Sequence, residues 1–109
     1  MQEAIEVARK IESVITAIRD EGKRSEVLIE ARARAISEYD KSIATTILKL
    51  KESGTPATVS EKVAKGERWE LRYAMEVAEG TYKAHFARLN YLQSQLNGYQ
   101  SVNRYLAVT

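Results

Sequence analysis

His85 is the only histidine in the 109-residue chain, and a histidine can act as a general base or a metal ligand near neutral pH. A general base needs an oriented partner and a pocket, and a metal site needs three or four converging ligands. Di-iron helical bundles use a Glu-x-x-His pattern, but the residue three positions before His85 is Tyr82. The sequence therefore favours a packed, hydrogen-bonded histidine over a catalytic one.

Carboxylates recur at helical spacing as Glu67 and Glu70, and again as Glu76 and Glu79. This spacing puts each pair on one helical face, where a solvated charged surface is commoner than an acid–base site. The sequence shows no phosphate-binding glycine loop, no nucleophile elbow and no Ser/His/Asp set, and it contains no cysteine for thiolate chemistry or disulfides. We therefore expect a non-enzymatic protein without a cofactor or metal.

Basic and aromatic side chains in the second half of the chain could bind nucleic acid or a protein. Cations bind phosphates and exposed aromatic rings stack on bases, and no residue after Glu79 is acidic. The candidate contact residues are Lys62, Lys65, Arg72, Lys83, Arg88, Tyr91 and Tyr105. The net charge is only +2, and acidic neighbours dilute the first cations. The same region is rich in Asn, Gln and Tyr, so a protein interface is favoured over nucleic acid.

Two rows of residues at alternating spacings of four and three predict the helices that position these side chains. The first row is Ala4, Ala8, Ile11, Ile15, Ile18, Gly22, Ser25, Ile29, Arg32, Ile36, Tyr39, Ile43, Thr46 and Leu50. The second is Ala64, Arg68, Leu71, Met75, Ala78, Tyr82, His85, Leu89, Leu92, Leu96, Tyr99, Asn103 and Leu106. A period of 3.5 residues keeps one helical face toward a partner helix, so each row predicts a coiled-coil seam.

A turn over residues 53–57 separates the two rows. Gly54 can take the left-handed conformation that ends a helix, and Pro56 cannot continue one. Thr58 and Glu61 have the spacing of a capping box at the start of the next helix. We predict a single domain over residues 1–109, with helix 1 over about 3–53 and helix 2 over about 58–107.

An antiparallel hairpin about this turn pairs residues whose numbers sum to 110 or 111. The opposed pairs include Ile36 and Met75, Ile29 and Tyr82, Gly22 and Leu89, and Ser25 and His85. Arg32 is charged in an otherwise apolar row, where a lone charge is unfavourable. It is expected to pair with Glu79 or Glu76, or to specify the register.

Further apolar residues lie outside the two seams and predict self-association. They are Val7, Val14, Leu28 and Ala35 in helix 1, and Val77, Ala84, Tyr91 and Tyr105 in helix 2. Glycines 22, 66, 80 and 98 weaken a lone hairpin. We predict an all-α, long antiparallel helical hairpin, coiled-coil-like, that dimerises into a four-helix bundle. The alternative is a bend near Gly22 that folds residues 1–20 back as a third helix.

Location follows from what the sequence lacks. It contains no apolar run near the 20 residues that cross a bilayer, and its first residues lack the basic and apolar regions of a signal peptide. We expect a cytoplasmic protein that does not bind membranes.

Three stretches resemble small helical-hairpin proteins encoded by phages and prophages. The first is Gly54-Thr-Pro-Ala-Thr-Val-Ser-Glu-Lys-Val-Ala-Lys-Gly66, the second is Ala78-Glu-Gly-Thr-Tyr-Lys-Ala84, and the third is the ending from Leu92 to Arg104. The resemblance covers residues 30–106. Those proteins are often encoded among early recombination and replication genes, and most are of unknown function. The resemblance implies the cytoplasm of the bacterial host and a role as accessory to, or inhibitor of, nucleic-acid machinery.

We therefore expect a non-enzymatic, phage-type helical interaction or accessory protein. It would act as a homodimer through its bundle surface on an unidentified protein partner, and would modulate nucleic-acid machinery. Two alternatives stay open. One is a single-stranded nucleic-acid-binding accessory factor that uses the basic, aromatic C-terminal half, and the other is an inhibitor of a host nuclease or defence protein.

Overall fold

The computed structural model describes residues 2–108, and this range is helical without any strand. Helix α1 covers Gln2–Gly22, α2 covers Ser25–Glu52, α3 covers Ala57–Glu67 and α4 covers Trp69–Val108. The predicted all-α class is confirmed. Among these four helices, none combines the length and the apolar character needed to cross a bilayer.

The chain divides into two compact units, which we call unit 1 and unit 2. Unit 1 combines the residues before Val27 with those after Tyr82, and so contains α1 and the C-terminal part of α4. Unit 2 is Val27–Tyr82 and contains most of α2, all of α3 and the start of α4. Each unit thus pairs helical segments that are far apart in sequence.

Both predicted helices are interrupted. The helix expected over residues 3–53 ends at Gly22 and resumes at Ser25, with the Arg24 amide donating to the Glu21 carbonyl at 3.1 Å in a tighter i→i−3 turn. The helix expected over 58–107 begins at Ala57 and breaks at Arg68, whose φ of −105° and ψ of 28° depart from helical values. Glycine precedes each break by one or two residues and weakens the helix there.

The turn after α2 is a Schellman motif, as the prediction for Gly54 requires. Gly54 has a φ of 92°. The Thr55 amide donates to the Leu50 carbonyl at 2.9 Å, and the Gly54 amide donates to the Lys51 carbonyl at 3.1 Å. These two bonds satisfy carbonyls that the end of a helix otherwise leaves without partners.

The predicted capping box at Thr58 is wrong. Helix α3 starts at Ala57 after Pro56, and no side chain caps it. Instead, the buried Ser60 hydroxyl donates to the Pro56 carbonyl at 3.0 Å. The fixed φ of proline allows the helix to start directly after it, so Thr58 lies inside the first turn.

Within unit 1, α1 and α4 run antiparallel in nearly the predicted register. Lys10 lies over the ring of Tyr99, and Ser25 contacts His85, so the paired numbers sum to 109 and 110. The buried apolar residues of this unit are Val14 and Leu92. The alternative in which residues 1–20 fold back as a third helix near Gly22 is wrong, because α1 packs along α4.

Within unit 2, α2 is antiparallel to the segment that follows the turn. Arg32 pairs with Glu79, as predicted, and Arg68 donates to the Thr46 hydroxyl at 3.0 Å. Ala64 is the buried apolar residue of this unit. The predicted hairpin register therefore holds at Arg32, and the long Arg68 side chain reaches Thr46, about one helical turn from the position opposite it in that register.

The seam of the second half is largely as predicted. That of the first half is also buried or half-buried from Arg32 to Leu50, but before Arg32 every second predicted position is exposed. In the second row only Arg68 and Asn103 are exposed. In the first row Ile15 and Ile29 are 40% and 48% exposed, whereas Val14 is buried. Ala8 and Gly22, which also belong to the first row, are exposed as well. The residues expected outside the seam, Val7, Val14, Leu28 and Ala35, are buried or half-buried instead. Apolar residues occupy both neighbouring rows, so periodicity alone could not choose between them.

Replacing Gly54 with Ala should lower the free energy of unfolding by about 1–2 kcal/mol, because a Cβ disfavours the left-handed conformation. Urea unfolding followed by circular dichroism measures this change. Gly80→Ala is the matched control, since Gly80 lies inside α4 and a Cβ there meets nothing within 4 Å. The control should gain about 0.5–1 kcal/mol. Equal stabilisation by both substitutions would contradict the left-handed turn.

Candidate functional site

A cluster of polar side chains lies between α1, α2 and α4 in unit 1. The Ser25 Oγ lies 2.7 Å from Nε2 of His85, and Nδ1 of the same ring lies 3.3 Å from Oε1 of Glu21. The His85 side chain is 1% exposed and that of Glu21 is 15% exposed. A carboxylate only accepts hydrogen bonds, so Nδ1 donates to Glu21, and Nε2 of the neutral ring accepts from the Ser25 hydroxyl.

Two arginines share the carboxylate of this cluster. Nη1 of Arg24 lies 3.4 Å from Oε1 of Glu21, and Nε of Arg88 lies 3.7 Å from the same oxygen. Both arginine side chains are more than half exposed, which keeps their charges in water. The two exposed arginines thus compensate the negative charge of the half-buried Glu21 carboxylate. The same carboxylate orients the buried His85 ring.

The order serine, histidine, carboxylate resembles that of a hydrolytic triad, with Glu21 in the place of the usual aspartate. Acyl transfer also requires that the substrate reach the base and that donors stabilise the oxyanion. The His85 ring is closed to solvent, and two arginines already draw on the charge of Glu21. The cluster therefore fits a structural role that joins three helices, and it agrees with the packed histidine that the sequence favours.

The sequence contains a signal for this cluster. Ser25 was expected opposite His85, and Glu21 precedes Ser25 by one helical turn. The carboxylate was missed because the predicted seam passed through Gly22, whereas the structure turns the neighbouring residue toward α4. A displacement of the seam by one residue thus decided whether Glu21 contacts the pair formed by Ser25 and His85.

A second polar contact is made by Arg32 in unit 2. Its Nε donates to Oε2 of Glu79, and its guanidinium lies 4.9 Å from the centre of the Tyr82 ring. The hydrogen bond to Glu79 raises the pKa of Arg32 above its ordinary value, with a smaller opposing effect of desolvation. This arginine carries its charge at any accessible pH, so the contact specifies the pairing of α2 with α4 rather than a proton-transfer site.

An uncharged row of exposed residues follows the outer face of α4 in unit 1. We call it the α4 stripe, and it consists of Tyr91, Ser94, Gly98, Val102 and Tyr105. Tyr91, Val102 and Tyr105 are 61%, 46% and 69% exposed. Exposed aromatic rings in a row without charges are typical of protein interfaces.

The structure distributes the seven predicted contact residues over both units. Lys62 and Lys65 lie exposed on α3, and Arg72 lies exposed on α4 in unit 2. Lys83, Arg88, Tyr91 and Tyr105 lie exposed on α4 in unit 1. Only the two tyrosines share the α4 stripe.

Three of the predicted cations are already paired with carboxylates. Nζ of Lys65 lies 3.0 Å from Glu61, and Nε of Arg72 lies 3.3 Å from Glu76. Arg88 is paired with Glu21 as described above. Exposed pairs of this kind contribute little stability, but each places a negative charge where a phosphate would bind.

Unit 1 also holds a shallow cavity of about 240 Å³ beside the α1–α4 contact. Its lining residues are Lys10, Ser13, Val14, Ala17, Leu92, Gln95 and Tyr99. Among the described residues, no group of three or more His, Asp or Glu side chains could hold a metal ion. Lys10 and Tyr99 are the titratable residues of this lining.

No protein-family model matches the sequence, and no curated protein or solved structure is similar to the chain.

Replacing Ser25 with Ala should lower the free energy of unfolding by about 1–3 kcal/mol, because the buried Nε2 of His85 loses its partner. Urea unfolding at fixed pH measures the loss. Ser37→Ala is the control, since Ser37 is exposed on α2 and should change stability by less than about 0.5 kcal/mol.

A double-mutant cycle separates this bond from local effects on the start of α2. In a His85→Leu background, Ser25→Ala should cost clearly less than in the original protein, because no imidazole remains to be left unpaired. The same cost in both backgrounds would show that the serine acts on the helix end alone.

Proposed function

We propose that the chain is a non-enzymatic helical interaction protein that works as a homodimer through the outer face of α4. The observation that carries this proposal is the α4 stripe, which has exposed tyrosines at both ends and no charged member. Single exposed apolar residues are ordinary, but an aligned row on one helix is typical of a surface that packs against another helix.

The area exposed by the chain supports an additional partner. The solvent-accessible surface is 8057 Å², whereas the size scaling of folded monomers gives about 6100 Å² for a mass of 12.3 kDa. The difference, about 2000 Å², exceeds the roughly 800 Å² per partner of a standard interface. Burial of part of this surface by a second chain would bring the exposed area close to that of ordinary folded proteins.

The small core points in the same direction. The buried apolar residues among those described are Val14, Ala64 and Leu92. Removing apolar surface from water stabilises by about 25 cal/mol per Å², so covering exposed rings and valines contributes where the interior is small. Association is thus a means of stabilisation as well as a means of recognition.

A role as accessory to, or inhibitor of, nucleic-acid machinery in the bacterial cytoplasm belongs to the same proposal. Its support is the resemblance to phage-encoded helical hairpins over residues 30–106. The partner in that role is a protein, because the cations that could bind phosphates are largely compensated within the chain.

Binding of single-stranded nucleic acid is the second candidate. It is favoured by the exposure of Tyr91 and Tyr105 and by the absence of acidic residues after Glu79. It is disfavoured by the carboxylates that pair with Lys65, Arg72 and Arg88. The two candidates require the same tyrosines for different purposes, so one double variant separates them.

Light scattering at a concentration well above the micromolar range should report about twice the chain mass of 12.3 kDa. Changing both Tyr91 and Tyr105 to Ala should reduce the mass to that of one chain, because the rings supply most of the apolar area of the α4 stripe. Helicity by circular dichroism should stay nearly constant, since both rings are largely exposed.

Tyr73→Ala is the matched control for this double variant. Tyr73 lies on the same helix and is 64% exposed, but it belongs to unit 2 and has Glu70, Arg72 and Glu76 near it in sequence. It should leave the mass unchanged. A protein that remains monomeric at high concentration would refute the homodimer.

The nucleic-acid candidate predicts a different response of the same Tyr91/Tyr105 variant. Affinity for a labelled single-stranded oligonucleotide would fall by about 1–3 kcal/mol per lost base stack, and its logarithm would fall with the logarithm of salt with a slope of about 0.7 per phosphate contact. We expect weak binding that the substitutions leave unchanged. Fluorescence anisotropy at several salt concentrations measures both quantities.

A further inference from the structure

We infer that two copies of the chain pack α4 against α4 in antiparallel orientation, about a two-fold axis that passes Gly98. This inference rests on the proposed homodimer and names the contact that forms it. Its basis is the order of residues along the α4 stripe, their exposure, the open space at the glycine and the placement of the nearby charges.

The α4 stripe is symmetric about Gly98. Tyr91 and Tyr105 lie seven residues before and after it, and Ser94 and Val102 lie four residues before and after it. In a two-fold symmetric contact, a residue on one side of the axis meets the residue at the equal distance on the other side in the second copy. Tyr91 would thus face Tyr105 of the second copy, and Ser94 would face Val102.

All five residues share one face of the helix. At 3.6 residues per turn, positions four and seven away from Gly98 lie within about 40° of it around the axis. All five are exposed in the chain, so none of them is needed for packing within unit 1. An antiparallel partner helix can therefore meet the whole row along a single seam.

Gly98 has no role in packing within the chain that explains its identity. A Cβ built there meets nothing within 4 Å, and its φ is not positive. Glycine disfavours a helix interior relative to alanine, and it is used where another backbone approaches closely. At the centre of the α4 stripe it allows two helices to approach, while the tyrosines at both ends extend across the groove to the partner.

Charge does not oppose this pairing. The α4 stripe contains no ionisable side chain apart from the two tyrosine hydroxyls, so no charge would be desolvated at its centre. Arg88 beside it is paired with Glu21. Arg104 is six residues from Gly98 and lies about 120° around the helix, away from the contact.

The expected contact is small. Each aromatic side chain buries up to about 150–250 Å², and four partly exposed tyrosines would supply several hundred Å². This value, even with Val102 and the small residues added, stays below about 1,200 Å², in the range of weak or transient interfaces. A dimer that dissociates in the micromolar range is therefore expected, which fits a surface that also receives another partner.

Single cysteines test the axis directly, because the chain has none of its own. Gly98→Cys should form a covalent dimer under mild oxidation, since residues on the axis bring their Cα atoms within the range of about 4.4–6.8 Å that a disulfide needs. Ala84→Cys is the matched control. Ala84 is exposed on the same face, but its two copies would lie about 42 Å apart along the axis.

Mixtures of variants test the antiparallel pairing. Tyr91→Cys and Tyr105→Cys should each stay uncrosslinked alone, because their own copies lie about 21 Å apart, and should form a heterodimer when mixed. Ser94→Cys mixed with Val102→Cys provides a second pair if either tyrosine variant associates too weakly. Non-reducing electrophoresis and mass spectrometry identify the products, and circular dichroism confirms that each variant is folded.

The outcomes separate this inference from the proposed function. Self-crosslinking at position 98 together with heterodimers only in the mixtures supports the axis. Self-crosslinking of Tyr91→Cys and Tyr105→Cys alone would indicate parallel helices and overturn it, and so would folded variants that form no covalent dimer. If light scattering still reports two chains in those cases, the homodimer stands and uses another face. A monomer throughout refutes both.

Discussion

A helix that pairs with one other helix can bury only one of its faces, and this constraint explains most features of the protein. In unit 1 the pairing of α1 with the C-terminal part of α4 buries two apolar residues among those described, Val14 and Leu92. Hydrophobic burial is therefore limited, and side chains at the edge of each seam remain half exposed. The outer faces of the helices remain exposed, and the α4 stripe on one of these faces is the basis of the proposed function.

Where a core is small and the same kinds of apolar residue repeat along it, polar contacts specify which residues face each other. Apolar seams of repeated heptads tolerate a slip by one heptad, because leucine and isoleucine fit several neighbours. The hydrogen bonds from His85 to Ser25 and from Arg32 to Glu79 do not tolerate such a slip. It would leave a buried nitrogen or a charged group without a partner. The histidine cluster therefore helps to specify which residues of α1 and α4 face each other in unit 1, although its sequence of serine, histidine and carboxylate resembles a hydrolase triad.

Polar contacts also involve several of the predicted contact residues. Several cations predicted to bind phosphates are instead compensated by acidic side chains on their own or the facing helix, as for Lys65 and Arg88. What remains without charge is the row through Gly98, in which bulky residues flank a small centre. An interface built on such a row depends on shape and apolar area rather than on charge, so its strength should change little with salt.

The sequence by itself determined the helical class, the turn at Gly54 and the seam of the second half, because glycine, proline and apolar periodicity act locally. It also placed Ser25 opposite His85 and Arg32 near Glu79, since one turn position fixes an antiparallel register. Only the tertiary structure decided which of two adjacent apolar rows α1 turns toward α4, and with it the exposure of Ile15 and the entry of Glu21 into the cluster. Both rows have the same period, so the choice depends on packing and polar contacts across the helix pair, to which residues distant in sequence contribute.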